Sequence, residues 1–151
     1  MDEMRDCENI AVRLLAQREH SRKELAQKLR QRCDCDTGSL NQLLDKLQER
    51  GYLDDTRFAG AFVRSSVTRG RGPQRIAHEL RERGVDDVTA AQALAEADTD
   101  WWALASEQRE KKFGGAIPAD YKERARQSRF LAGRGFYMDT IKAVFQRRAE
   151  S

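Results

Sequence analysis

Two histidines, three cysteines, one adjacent pair of aspartates and a dense set of arginines are the residues of this 151-residue chain whose types could do chemistry. Catalysis needs such groups in a mutual geometry: a nucleophile, a base within reach, and a donor for the developing charge. His20 stands just before a helix cap and His78 on a helix beside Glu82, and neither has a cysteine or serine at informative spacing. Asp54 and Asp55 open a helix, so they read as a cap and a negative first turn rather than as paired catalytic carboxylates. Cys33-x-Cys35 lacks the second pair that a zinc site requires. Gly70-x-Gly72 follows no strand, which excludes a Walker loop and a dinucleotide fingerprint. The residues therefore assign no catalytic, cofactor or metal site, and an enzyme is not expected.

The arginines carry the binding hypothesis. Arg57, Arg64, Arg69, Arg71, Arg75, Arg81 and Arg83 face only Glu79 and Glu82 in the same stretch, which contains no lysine. A solvated charged face accounts for some of them, because Arg75 with Glu79 and Glu79 with Arg83 are i,i+4 pairs. Arg57 and Arg64 have no comparable acidic neighbour within their helix. They are seven residues apart, hence almost in line, and lead towards Arg69 and Arg71. A second basic cluster comprises Lys122, Arg124, Arg126 and Arg129, with Arg147 and Arg148 beyond. Guanidinium suits phosphate and carboxylate recognition. The candidate partner- or DNA-binding residues are Arg57, Arg64, Arg69, Arg71, Arg75, Arg81, Lys122, Arg124, Arg126 and Arg129. Trp101 is expected in the core, while Trp102, about 100° around the helix, is divided between core and contact.

The elements that position these residues read as helices throughout. A first helix from about Arg5 to Arg18 turns Ile10, Ala11, Leu14 and Leu15 inward. Ser21 and Glu24 form a capping box ahead of Leu25, Ala26 and Leu29. Ser39 and Gln42 are expected to cap a third helix with Leu40, Leu43, Leu44 and Leu47 as its stripe. Gly51 ends it in a left-handed conformation, with Tyr52 folding back on Leu47. A helix from about Asp55 to Arg69 buries Phe58, Ala59, Phe62, Val63 and Ser66, and stops at Gly70. Pro73 starts the next with Gly72 as its cap. Ile76, Ala77 and Leu80 are its stripe, and Gly84-Val85 its stop. Helices over about 87–97 (Val88, Ala91 and Leu94 inward), from Asp100 (Trp101, Leu104 and Ala105 inward), over 120–134 and over 138–148 complete the chain.

Shifting the sequence by 51 residues maps Leu29 onto Leu80 onto Leu131, and Arg32 onto Arg83 onto Arg134. The same shift carries Leu43 onto Leu94 onto Phe145, and Gly84-Val85 onto Gly135-Phe136. Glycine stops at matching offsets point to an internal repeat. The expected fold is all-α: a tandem array of three three-helix repeats over 1–51, 52–98 and 99–151. Each repeat would leave an apolar side for its neighbour, giving an elongated array that can curve.

The stretch from Gly51 to Val85 also carries a family likeness. GYLDD at 51–55, Phe58, Ala59, Phe62 and Arg64, Gly72-Pro73, and IAHELRERGV at 76–85 together resemble the RecX family of bacterial regulatory proteins, the modulators of the RecA recombinase. The resemblance implies tandem three-helix repeats. It also implies a non-enzymatic regulator that binds RecA, lies in the groove of the RecA–single-stranded-DNA filament, and inhibits strand exchange and coprotease activity. The rival from another class is a helix-turn-helix DNA-binding protein. Against it, the 87–97 helix, which would be a third, sequence-reading helix, has no basic residue. A helical scaffold with no nucleic-acid contact is the third reading.

Bulk properties agree with a helical protein of thin core: 35% charged, 39% apolar, two prolines, net charge +3. That net charge alone does not indicate nucleic acid. No apolar run reaches membrane-spanning length, and the N-terminus lacks a signal-peptide layout. An odd number of cysteines argues against a disulfide framework, so a reduced, cytoplasmic, monomeric protein is expected.

Overall fold

A computed structural model describes residues 2–146. Those residues form nine helices and no strand: α1 (Asp2–Gln17), α2 (Arg22–Arg32), α3 (Thr37–Glu49), α4 (Asp55–Thr68), α5 (Pro73–Glu82), α6 (Asp87–Ala97), α7 (Trp101–Phe113), α8 (Tyr121–Gly133) and α9 (Met138–Gln146). The all-α expectation holds, and the expected residues make most of the helix ends. Ser21 and Glu24 form the reciprocal capping box at α2. Asp54 accepts from the backbone N–H groups of Thr56 and Arg57 at α4. Gly51, Gly84 and Gly135 all have positive φ, and each is followed by a residue whose N–H reaches back five residues: Tyr52 to Leu47, Val85 to Leu80, Phe136 to Leu131.

Three local expectations are corrected. Helix α3 begins at Thr37 because Asp36, rather than Ser39, supplies the capping oxygen, which accepts from the Ser39 N–H. Helix α6 turns Ala90 and Ala93 inward and leaves Val88 68% exposed. Asp86 is its capping residue, accepting from the Thr89 N–H, and this fixes Val88 in the outward half of the first turn. Beyond Gly51 the Tyr52 side chain is half exposed and Leu53 fills the core instead.

Two compact units divide the chain. The first comprises Met1–Phe62 with Leu80–Ala93. Its core gathers Cys7, Ala11 and Leu14 of α1, Leu25, Ala26 and Leu29 of α2, and Leu40, Leu43, Leu44 and Leu47 of α3, with Leu53 beyond. Six of these leucines are at most 1% exposed, and each contributes about 2 kcal/mol of burial. Ile10 and Leu15 only flank this core, whereas Cys7 lies inside it. Cys7 is joined to Cys33, which corrects the expectation that the cysteines stay unlinked.

The second unit comprises Val63–Glu79 with Leu94–Ser151. Ala105, Leu131, Phe136, Ile141, Val144 and Phe145 form its core. Trp101 and Trp102 both pack against that core half buried, although 100° separates successive helical side chains.

One junction occurs once in each unit. In the first, the start of α2 meets the last turn of α5: Ser21 Oγ donates to the Arg83 carbonyl at 2.7 Å and Lys23 Nζ to the Glu82 carbonyl at 3.0 Å. In the second, the start of α5 meets the last turn of α8: the Gly72 and Gln74 N–H groups donate to the Arg134 and Gly135 carbonyls, both at 2.9 Å. Ser21 and Gly72, Arg83 and Arg134, and Gly84 and Gly135 are each 51 residues apart, so the sequence repeat is a repeat of this contact. A Cβ on Gly72 would sit on the backbone of Gly135 and Phe136, and one on Gly84 would lie 2.8 Å from the Lys23 Cβ.

Gly72→Ala should therefore lower stability by about 2 kcal/mol, since two backbones would have to separate. Gly84→Val, at φ +83 with a neighbour in the way, should cost about 1 kcal/mol or more. Gly38→Ala, in α3 with nothing near its Cβ, should stabilise by up to about 1 kcal/mol. Thermal melts of the three variants check the order, and equal melting temperatures for wild type and Gly72→Ala would dissolve the junction.

Candidate partner-binding site

Ion pairing sorts the candidate cations. Arg57 is exposed, but its Nε donates to Glu19 at 2.5 Å and one terminal nitrogen donates to the Tyr52 carbonyl at 3.2 Å. Glu19 lies in the α1–α2 connection, so nothing within the Arg57 helix itself signals this partner. Arg71 and Arg75 converge on Glu79 at 3.4 and 2.7 Å. Arg81 pairs with Asp87 at 3.1 Å. Arg126 grips both Glu123 oxygens, at 2.7 and 2.9 Å, and this fork lowers the Glu123 carboxyl to about 2.

The remaining candidates keep their charge available. Arg64 and Arg69 on and after α4, and Lys122, Arg124 and Arg129 on α8, are exposed and make no ion pair among the described residues. All five fall in the second unit. On α8, Gln127 and Leu131 face inward, and the helical period sets Lys122 and Arg129 on the opposite side. Arg124 sits nearer the core edge, its guanidinium 5.6 Å from the Phe145 ring. Arg147 and Arg148 lie outside the described residues.

Beside Arg124, alone of these five cations, a groove of about 410 Å³ runs between α8 and α9. Ala125, Met138, Ile141 and Phe145 line it, with Arg124 and Lys142 also on its wall. Tyr121 at its edge is 83% exposed and Met138 is 53% exposed. An apolar floor beside fixed positive charge suits a protein surface that presents carboxylates around an apolar side chain.

What holds α8 in place is a buried arginine that the sequence reading missed. Arg109 of α7 is 1% exposed. Its guanidinium donates to the carbonyls of Gly115 (3.1 Å) and Ala116 (3.3 Å) and to Gln127 Oε1 (3.2 Å). It thereby fastens the α7–α8 loop to the helix carrying Lys122, Arg124 and Arg129. In sequence it belongs to the run Arg109-Glu110-Lys111-Lys112, which reads as a solvated face.

The remaining chemistry-bearing groups serve structure. His20 is 1% exposed, its Nδ1 3.0 Å from the Arg18 carbonyl and its Nε2 2.9 Å from Lys28 Nζ. An ammonium can only donate, so Nε2 accepts and Nδ1–H donates, which makes the imidazole neutral. Burial first, then the positive charges of Arg18 and Lys28, hold His20 below 6.5. Asp55 is pushed up by burial and accepts from the Arg22 N–H at 2.8 Å. No group of three or more His, Cys, Asp or Glu among the described residues is arranged to hold a metal ion. None of their helices is long and apolar enough to cross a membrane.

Two expected outcomes follow from these groups. A depressed His20 means that the unfolded chain takes up a proton before the folded one, so its contribution is present above pH 6.5 and is lost as pH falls below it. Melting temperature should drop between pH 7.5 and 5.5, and His20→Gln, which cannot titrate, should flatten that drop; an unchanged slope would refute it. Arg109→Ala should cost about 3 kcal/mol in a denaturant titration, by leaving buried acceptors without a donor.

Comparison with known proteins places the chain. Family models for the first, second and third three-helix domains of RecX match residues 7–34, 54–94 and 98–145. Regulatory protein RecX of Halorhodospira halophila is 52% identical over 136 residues, covering 90% of this chain and 84% of that protein. Regulatory protein RecX of Escherichia coli is 35% identical, covering 93% and 90%. The crystal structure of RecX from Lactobacillus salivarius shares the fold at TM-score 0.82 and 24% identity, covering 99% of both chains. With three successive domain matches and relatives of this identity along most of its length, the chain belongs to the RecX family of regulatory proteins.

Proposed function

We propose that this protein is a non-enzymatic cytoplasmic regulator, acting as a monomer, that binds RecA on single-stranded DNA and inhibits its recombinase and coprotease activities. The observation carrying this reading is the family match along the chain to proteins named as regulators. The surface supports it through Arg64, Arg69, Lys122, Arg124 and Arg129, exposed cations without carboxylate partners among the described residues. In this reading they meet the phosphates and acidic side chains of the filament, while the α8–α9 groove receives an apolar side chain of RecA. A helix-turn-helix reader would use the third helix of a repeat, yet α6 contains no basic residue at all. In this reading Arg57, Arg71, Arg75, Arg81 and Arg126 serve as structural pairs rather than direct contacts.

The assay is inhibition of ATP hydrolysis by a RecA–single-stranded-DNA filament, at two salt concentrations. Arg64→Glu with Arg69→Glu, and separately Lys122→Glu with Arg129→Glu, should each weaken inhibition about tenfold at low salt and less at high salt. Exposed substitutions of this kind shift stability by only about half a kcal/mol. Failure of the unmutated chain to inhibit would overturn the regulator reading. Full inhibition by both double variants would overturn the assignment of these cations. Tight binding to duplex DNA without RecA would favour the helix-turn-helix alternative.

A further inference from the structure

All three cysteines of the chain converge on one place in the first unit. Cys7, on α1, is fully buried within the core cluster, whereas Cys33 and Cys35, in the α2–α3 connection, are only partly buried against it. Cys7 and Cys33 are joined, with Cα atoms 5.8 Å apart, a separation that a disulfide spans without backbone movement. The third sulfur, of Cys35, stands 3.7 Å from that of Cys7. A buried sulfur therefore has two partners on a surface loop.

The repeat adds an independent observation. Position 33 precedes Gly84 by the 51-residue period, and Gly84 precedes Gly135 by the same. Both glycines end their helices at positive φ, whereas Cys33 ends α2 in extended conformation at φ −126°, its N–H bonded to the Leu29 carbonyl at 2.8 Å. At this one of three equivalent stops, a side chain tied to α1 replaces a glycine turn.

We propose that Cys7, Cys33 and Cys35 form an oxidisable three-thiol site through which hydrogen peroxide locks α1 to the α2–α3 connection. The sulfur at the surface, as thiolate, attacks one peroxide oxygen, giving a sulfenic acid and releasing hydroxide. Cys7 then attacks that sulfur, forming the S–S bond and expelling a second hydroxide. Two thiols supply two electrons, and the peroxide leaves as two waters. Cys35 or Cys33, whichever stays free, attacks the Cys7 sulfur of the finished bond and exchanges with the partner, so Cys7 is common to both linkages. Closure ties residues 7 and 33 into a loop and restricts the unfolded chain. In a reducing compartment such bonds are transient signals rather than permanent staples.

The test uses the full-length chain, reduced and then given a small excess of hydrogen peroxide, with alkylation and peptide mapping of the products. Three thiols per chain should alkylate before peroxide and one afterwards, without covalent dimers, and every linkage should contain Cys7. The melting temperature should rise by about 5 °C on oxidation and return with dithiothreitol. Cys33→Ser, at a partly exposed position, should still close through Cys7 and Cys35, while Cys7→Ala should leave both remaining thiols open. Three thiols surviving peroxide, linkages only between chains, or closure of Cys33 onto Cys35 without Cys7 would overturn the proposal. Loss of all closure in Cys33→Ser would overturn the exchange. Thiol counts do not involve RecA, so this outcome is separate from that of the inhibition assay.

Discussion

The first turn of every helix has amide hydrogens without acceptors, and the last turn has carbonyls without donors. At the α5–α8 junction the two deficits answer each other through backbone amides, and at the α2–α5 junction side-chain donors meet the carbonyls. Groups at the start of α2 bond the closing carbonyls of α5, and groups at the start of α5 bond those of α8. The dipoles agree in sign, because a positive helix start meets a negative helix end. Close approach makes the contact work, and glycine permits the approach: Gly84 and Gly135 satisfy a left-handed φ and also leave room where a Cβ would strike Lys23 or Arg75. The two demands fall on one residue, which is why that residue recurs at a fixed interval while the surrounding sequence drifts.

From that constraint the candidate surface follows. Leu131 and Phe136, bracketing the turn that receives α5, belong to the core of the second unit. Arg109 ties the middle of α8, at Gln127, to the loop that leads into it. A helix held by buried contacts at its middle and its end has its outward face set, so Lys122 and Arg129 need no ion pair of their own to be positioned. Burying a guanidinium costs several kcal/mol unless its donors are satisfied. The carbonyls of Gly115 and Ala116, with Gln127 Oε1, meet the two terminal nitrogens of that guanidinium, which ties the loop to the buried charge.

Much of this was legible in the sequence. Gly51, Gly84 and Gly135 announce helix stops because glycine meets a backbone demand that acts locally, and Ser21 with Glu24 announces a start for the same reason. The motifs between Gly51 and Val85 identified the family. What sequence reading missed depends on residues distant in the chain. Asp36 displaced Ser39 as a cap although both are good capping residues, and the choice belongs to the α2–α3 connection. Val88 faces outward because Asp86 sets the phase of α6, which a short Ala-rich stripe cannot reveal. An odd cysteine count argues against a disulfide framework, and nothing about the number three says that residues 7, 33 and 35 meet.

Arginine density was the most persuasive signal for a binding surface, and the structure divides those arginines into paired and unpaired groups among the described residues. Within a helix, the i,i+4 rule finds partners such as Glu79 for Arg75, but it does not see Glu19 reaching Arg57 from another element. A pair on the surface contributes little stability, of the order of half a kcal/mol, yet it changes recognition more than it changes folding. A guanidinium already forked on a carboxylate, as Arg126 is on Glu123, must leave that partner before it can bind a phosphate. Arg64 or Lys122 has no carboxylate among the described residues to leave. Two cations of equal exposure therefore differ in what a partner gains from them, and the sequence ranks them identically. As candidate contacts, the cations of this chain are better ranked by the carboxylates beside them than by the number of arginines.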